Sequence, residues 1–189
     1  MNFKLYGGFE DPPYQSAYIF RSIMSAMANP GIIEVIEGIY PPRPLESAAA
    51  AICLTLCDQD CSIALNGIYD TKEVNDWLIF HTGVKIKSEE DADFILTEET
   101  KIAPLNTYRQ GTEEYPDRSS TVIVAASELN NKKGIKLSGP GIQSSRYLSL
   151  SSVKPFRHGM KPFPLGVDFI VFKEDRLACL PRSTKMEQL

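Results

Sequence analysis

Between Asp11 and Gly31 apolar residues return every four positions. Ile19, Ile23 and Met27 form one row with Phe20 and Met24 beside it, while Arg21, Ser22 and Ser25 face elsewhere. Side chains four apart share a helix face, so the spacing predicts a helix. Asp11 is placed to cap it, Pro12 suits its first position, and Asn29-Pro30-Gly31 stops it. Ile32 to Ile36 then reads as a strand, Pro41-Pro42-Arg43-Pro44 as a stiff loop, and Glu46 to Leu56 as a buried helix. Asp70 with Glu73 three residues on resembles a capping box, and Val74, Trp77, Leu78 and His81 mark one face of the helix it starts.

The second half is richer in strand signals. Asp93 to Leu96 and Thr121 to Ala126 are predicted strands, the second so continuously apolar that it belongs at the centre of a sheet. Glu128 to Gly134 is a polar turn leading into a strand at Ile135 to Leu137. Lys161-Pro162-Phe163-Pro164-Leu165-Gly166 is a stiff, non-helical approach to a last hairpin, Val167 to Leu180, which turns at Lys173-Glu174-Asp175-Arg176. Helices interspersed with buried strands predict an α/β layered sheet with an antiparallel pair at its C-terminal end, in one domain over residues 1–189.

Composition narrows the partners more than the fold. A net charge of −4 argues against a nucleic-acid surface, which has to be basic. The N-terminus lacks the apolar core of a signal segment, and Ala48 to Cys57 is too short to span a bilayer, so a cytoplasmic location away from membranes is expected. Cys53, Cys57 and Cys61 recur every four residues, but they lack the two-residue spacing of zinc and iron–sulfur sites. Asp58 and Asp60 suggest that the helix has ended before Cys61. Cys53 and Cys57 are therefore read as core residues, with no metal and no disulfide expected.

Four groups of residues could carry chemistry. Ser138-Gly139-Pro140-Gly141-Ile142-Gln143-Ser144-Ser145 follows a strand and could wrap an anion, but Pro140 removes a donor and a third glycine is missing. A tight turn needing Gly139 and Gly141 for its angles is the preferred reading. Lys154, Arg157, His158 and Lys161 are interleaved with Pro155, Phe156, Met160 and Phe163; such a segment suits a phosphorylated ligand, the acidic face of a partner, or a plain solvated loop. His81 could serve acid–base work or bind an anion, or be a structural histidine at a helix end. Asp168 and Arg182 bracket the final hairpin and are expected to pair with each other, as Arg21 is with an acidic neighbour.

The wording of several of these segments resembles the H-subunit family of the bacterial carbon–phosphorus lyase core complex. Pro162 to Asp168 (PFPLGVD), a hairpin, and Leu180 to Thr184 (LPRST) resemble its C-terminal signature. Phe20 to Gly31 is similar to its N-terminal helix and stop, Leu54-Thr55-Leu56 with Asp58 and Asp60 to a helix end, Phe80-His81-Thr82 to a mid-chain signature, and Leu137 to Ile142 to a glycine turn. These islands run in family order from residue 17 to residue 184. The resemblance implies a three-layer mixed sheet like the large domain of pyridoxal-phosphate-dependent transferases, without the cofactor. It also implies a homodimer and a core complex with G, I and J subunits. With G, I and L proteins, such a subunit supports the coupling of methylphosphonate to ATP, in which adenine leaves and α-D-ribose 1-methylphosphonate 5-triphosphate forms.

Two functions of different class follow. In the preferred one the chain is a structural or binding subunit of that assembly, inactive alone, without catalytic residue or cofactor. Arg21, His81, Gly139, Gly141, Asp168 and Arg182 are then ligand candidates, and Lys154, Phe156, Arg157, Lys161 and Phe163 interface candidates. In the other it is an independent α/β phosphate-binding enzyme using the 138–145 turn with His81 and Arg182. The magnesium carboxylates and phosphate cradle of a self-sufficient enzyme are not visible in the sequence. No lysine but Lys161 even suggests a Schiff base.

Overall fold

A computed structural model describes residues 5–188. Helix α1 (Pro12–Ala28) is followed by strand β1 (Glu34–Val35), α2 (Ser47–Leu56), β2 (Ser62–Leu65), α3 (Lys72–Thr82), β3 (Lys85–Ile86), β4 (Phe94–Glu98) and β5 (Thr121–Ala125). Then come β6 (Ile135–Ser138), β7 (Arg146–Leu148), β8 (Asp168–Lys173), β9 (Arg176–Leu180) and β10 (Lys185–Glu187). The main sheet has the order β1-β9-β8-β5-β4-β2-β3, and a second, three-stranded sheet has the order β10-β6-β7. Strands β8, β5, β4, β2 and β3 run parallel; β9 and β1 are antiparallel to their neighbours. The expected α/β class, the central place of β5 and the final hairpin are all present.

Alternation along the strands divides the interior in two. Leu96, Ile123, Ile170, Phe172, Leu177 and Cys179 face a core shared with all three helices. Ile95, Val122, Val124, Phe169, Val171 and Leu180 face a second core, closed by the small sheet through Ile135, Leu137 and Leu148 and by coil through Leu105 and Phe156. Both faces of β5 are thus covered, which is why its sequence is a run of valine and isoleucine. The third layer is a small sheet with loops; the helices lie on one side only.

Several boundaries differ from the sequence reading. Thr71, not Asp70, caps α3: its hydroxyl accepts from the Val74 N–H at 3.3 Å, and Asp70 closes the short 3-10 turn Gly67–Tyr69 instead. The predicted strand at Ile32 to Ile36 shrinks to Glu34–Val35, pairing only with β9 at the sheet edge. On α1 the buried residues are Ile19, Ser22, Ile23 and Ala26, whereas Phe20 and Met24 are 47% and 54% exposed. Helix α1 packs on both β9 and the alanine-lined helix α2, with the small Ser22 and Ala26 buried beside Ile19 and Ile23 and the bulkier residues left outside. Strands β2, β3, β7 and β10 have no counterpart in the sequence reading.

Helix α2 ends at Leu56, and the Asp58 carboxylate accepts from the Asp60 and Cys61 N–H groups at 2.8 and 3.1 Å, so Cys61 lies past the helix as expected. Cys53 and Cys57 are buried in the helical core, and a hydrogen bond with Cys53, together with burial, pushes the Cys57 thiol well up.

Candidate functional site

Three segments far apart in sequence meet at one end of the second core. The chain that approaches β8, the turn after β6 and the start of β10 enclose a cavity of about 710 Å³. Its cations are Arg157, Lys161 and Lys185, beside Arg182; its apolar wall includes Pro140, Met160 and Phe163. Phe163 is 71% exposed, an aromatic ring held at the rim.

Each wall is positioned by identifiable bonds. Gln110 is buried and pins the loop: its side-chain N–H group donates to the Leu105 and Gly159 carbonyls at 2.9 and 2.8 Å, and its carbonyl accepts from the Lys161 N–H at 2.6 Å. Gly166, at φ 127°, passes so close to Met160 that an added Cβ would lie 2.6 Å from the sulfur, so Met160 can lie against the strand entrance only because position 166 has no side chain. The β10–β6 pairing sets Lys185 opposite Ser138 and brings the glycine turn alongside.

Arg182 is the fixed part of this region. Its Nε and Nη2 donate to the Asp168 carboxylate at 3.2 and 2.5 Å, its Nη1 to the Pro116 and Pro164 carbonyls at 2.8 and 3.3 Å, and its Nη2 also to Ser119. The Arg182 N–H adds a bond to Asp168 at 2.7 Å. The pairing expected of Asp168 and Arg182 is present, and it leaves no guanidinium N–H of Arg182 for a ligand. Arg157, Lys161 and Lys185 have no ion-pair partner among the described residues. They supply the positive charge that a ligand would meet.

The other sequence candidates lie elsewhere. Gly139 and Gly141 take φ of 122° and 78°, and a Cβ on Gly141 would lie 2.1 Å from the Ala28 carbonyl oxygen. The segment is therefore a tight turn packed onto the end of α1, in line with the preferred reading, and only Pro140 reaches the cavity. His81 sits on α3, where its Nε2 bonds the Leu5 carbonyl at 2.9 Å and its ring lies 4.5 Å from that of Trp77. That histidine ties down the N-terminal segment. Arg21 is exposed on α1 and forms no ion pair among the described residues, unlike the expectation. Phe156 is fully buried, edge-on to Phe169 at 5.0 Å, so it anchors its loop from inside and offers no ring to a partner. Lys154 and His158 border a separate small cavity of about 210 Å³.

Sequence reasoning missed Gln110, Ser183, Thr184 and Lys185 as site residues. Thr184 lines the cavity, and its hydroxyl is buried without a hydrogen-bond partner among the described residues. Ser183 and Thr184 belong to the LPRST signature and Lys185 follows it directly, which was their signal; Gln110 lies in an aperiodic stretch and had none. Chemically the cavity offers unpaired cations, a hydroxyl and an aromatic rim, a combination that suits an anion with an apolar part or an acidic protein surface.

Comparisons with known proteins bear on the whole chain. Residues 7–187 match the family model described as bacterial phosphonate metabolism protein (PhnH). A protein of Rhizobium meliloti (strain 1021) named alpha-D-ribose 1-methylphosphonate 5-triphosphate synthase subunit PhnH is 32% identical over 96% of this chain and 95% of its own length. A protein of Stutzerimonas stutzeri named putative C-P lyase subunit protein HtxG is 30% identical, over 93% of this chain and 87% of its own length.

Proposed function

This chain belongs to the PhnH family of bacterial phosphonate metabolism proteins, and from that premise we propose that it is a subunit of a carbon–phosphorus lyase complex. Its part there is to support formation of α-D-ribose 1-methylphosphonate 5-triphosphate from ATP and methylphosphonate, with release of adenine. The end-to-end likeness to a protein named as a subunit of that synthase carries the reading. In it the chain is a cytoplasmic, cofactor-free homodimer with a transferase-like sheet, it assembles with G, I and J subunits and with L for activity, and it turns over nothing alone.

The Arg157–Phe163 loop with Lys185 is the surface we assign to the anionic ligand or acidic partner face. The alternative, an independent phosphate-binding enzyme built on the 138–145 turn, is not favoured, because that turn is packed against α1.

The test is reconstitution. The pure chain with ATP and methylphosphonate releases no adenine; the complete set of subunits does, and omitting this chain abolishes release. Reversing charge at Arg157, Lys161 and Lys185 together lowers activity or assembly about tenfold or more, a change of about 1.4 kcal/mol or above. Adenine release by the chain alone would overturn the subunit reading.

A further inference from the structure

A second cavity, of about 360 Å³, lies outside the carboxyl ends of the parallel strands. The connection after β2 runs through the Gly67–Tyr69 turn and α3 on the helical face towards β3, while the connection after β4 crosses to the other face, through Leu105 and Tyr108, on its way to β5. The two connections leave in opposite directions and open a crevice between them, which is where open α/β sheets take their ligands. Here it is lined by Glu46, Tyr69, Glu98, Glu99, Ser127 and Lys173, among others.

Three glutamates face one lysine, and each is held by one side. The Glu99 carboxylate accepts from the Ser151 N–H and hydroxyl at 2.9 and 2.5 Å, Glu98 from the Ile68 N–H at 3.2 Å, and Glu46 from the Glu174 N–H. Lys173 stands 3.8 Å from Glu46. Glu99 is only 5% exposed and has no cationic partner among the described residues. Buried carboxylates are ordinarily paired, so this one is short of a positive charge. Tyr69 is fully buried on the same wall, and its hydroxyl has no hydrogen-bond partner among the described residues. Burial and the nearby Glu46 and Glu98 push its phenol up, so it keeps its proton. Among the described residues no group of His, Cys, Asp and Glu is disposed to hold a metal ion.

We propose that this crevice binds an ammonium or guanidinium group, whose N–H donors meet the free oxygens of Glu98 and Glu99 and the Tyr69 hydroxyl. The group is either a small free amine or a lysine or arginine side chain of a partner subunit. Only the second source rests on the assembly reading above.

Agmatine, which carries both kinds of cation, is the probe for calorimetric titration of the full chain. Saturable binding is expected, weakened about tenfold or more in Glu98→Gln and Glu99→Gln, which keep side-chain size. Tyr69→Phe is expected to weaken it without lowering the melting temperature, since the ring packing on Phe172 is kept. Lys161→Ala, in the other cavity, leaves it unchanged. In parallel, the Glu98→Gln/Glu99→Gln double variant, shown folded by circular dichroism, is assembled with tagged partner subunits. Agmatine binding with normal assembly identifies a free amine. Weakened assembly identifies a partner side chain, with or without agmatine competition. No agmatine binding together with unchanged assembly overturns the proposal, as does binding that the glutamine variants do not weaken.

Discussion

Arg182 joins four stretches of chain through one planar group: β8 by Asp168, the segment at Pro116 and Ser119, the proline turn at Pro164, and its own strand exit. Both partners of the ion pair are mostly buried, so truncating one strands the other. Arg182→Ala is expected to cost about 3 kcal/mol, and Arg182→Lys nearly as much, because an ammonium cannot reproduce the fork. Urea denaturation measures both. Asp93 makes the opposite experiment possible. Burial raises its pKa, but hydrogen bonds from Ser62 and Arg109 outweigh that and hold the carboxyl below its usual range. A carboxyl depressed in the folded state contributes stability above its unfolded value, and that contribution drains away as pH falls through the lower folded value. The melting-temperature gap between the wild type and Asp93→Asn should therefore be constant from pH 7 to about pH 5 and close below about pH 4.

At the scale of elements, the loop from Lys154 to Phe163 has two aromatic residues with opposite duties. Phe156→Ala removes a fully buried ring and is expected to cost about 3–5 kcal/mol. Phe163→Ala removes an exposed one and should stay within about 0.5 kcal/mol of wild type while weakening whatever the cavity binds. Equilibrium unfolding separates the two. The sequence could not, since both are phenylalanines beside prolines. Strand β5 was legible because a strand covered on both faces is written as an unbroken apolar run. On α1 the row of Ile19 and Ile23 was legible, but its flank was not: the small Ser22 and Ala26 are buried beside it, where periodicity selects the larger Phe20 and Met24. Strands β2 and β10 are four and three residues long, too short to show a period. The motif residues around Arg182 were readable, but Lys185 enters the cavity only through the pairing of β10 with β6, a contact between segments almost fifty residues apart that no local pattern announces.

For the whole molecule the shared sheet matters most. Each of β4, β5, β8 and β9 contributes alternate residues to both cores, so neither core can come apart while the other keeps its strands. The single tryptophan, Trp77, reports on the helical side, and Phe156 sits on the other. Phe156→Ala should move the unfolding midpoint seen by Trp77 fluorescence as far as that seen by far-UV circular dichroism. A fluorescence transition that stays in place would mean that the two sides melt separately.

The pairing of β1 with β9 has a consequence for how the protein is made. Glu34 and Val35 meet only Leu177 and Arg176 in the sheet, and the β8–β9 hairpin must fit between β5 and β1. A ribosome adding about 5–20 residues per second needs roughly seven to thirty seconds to travel from the first of these strands to the last. For the last part of that time, from its own synthesis until that of β8, the apolar strand β5 has one open edge. Completion of the sheet is therefore an event of the finished chain, and a nascent or C-terminally truncated product lacking residues 168–180 presents a bare parallel edge to whatever it meets first.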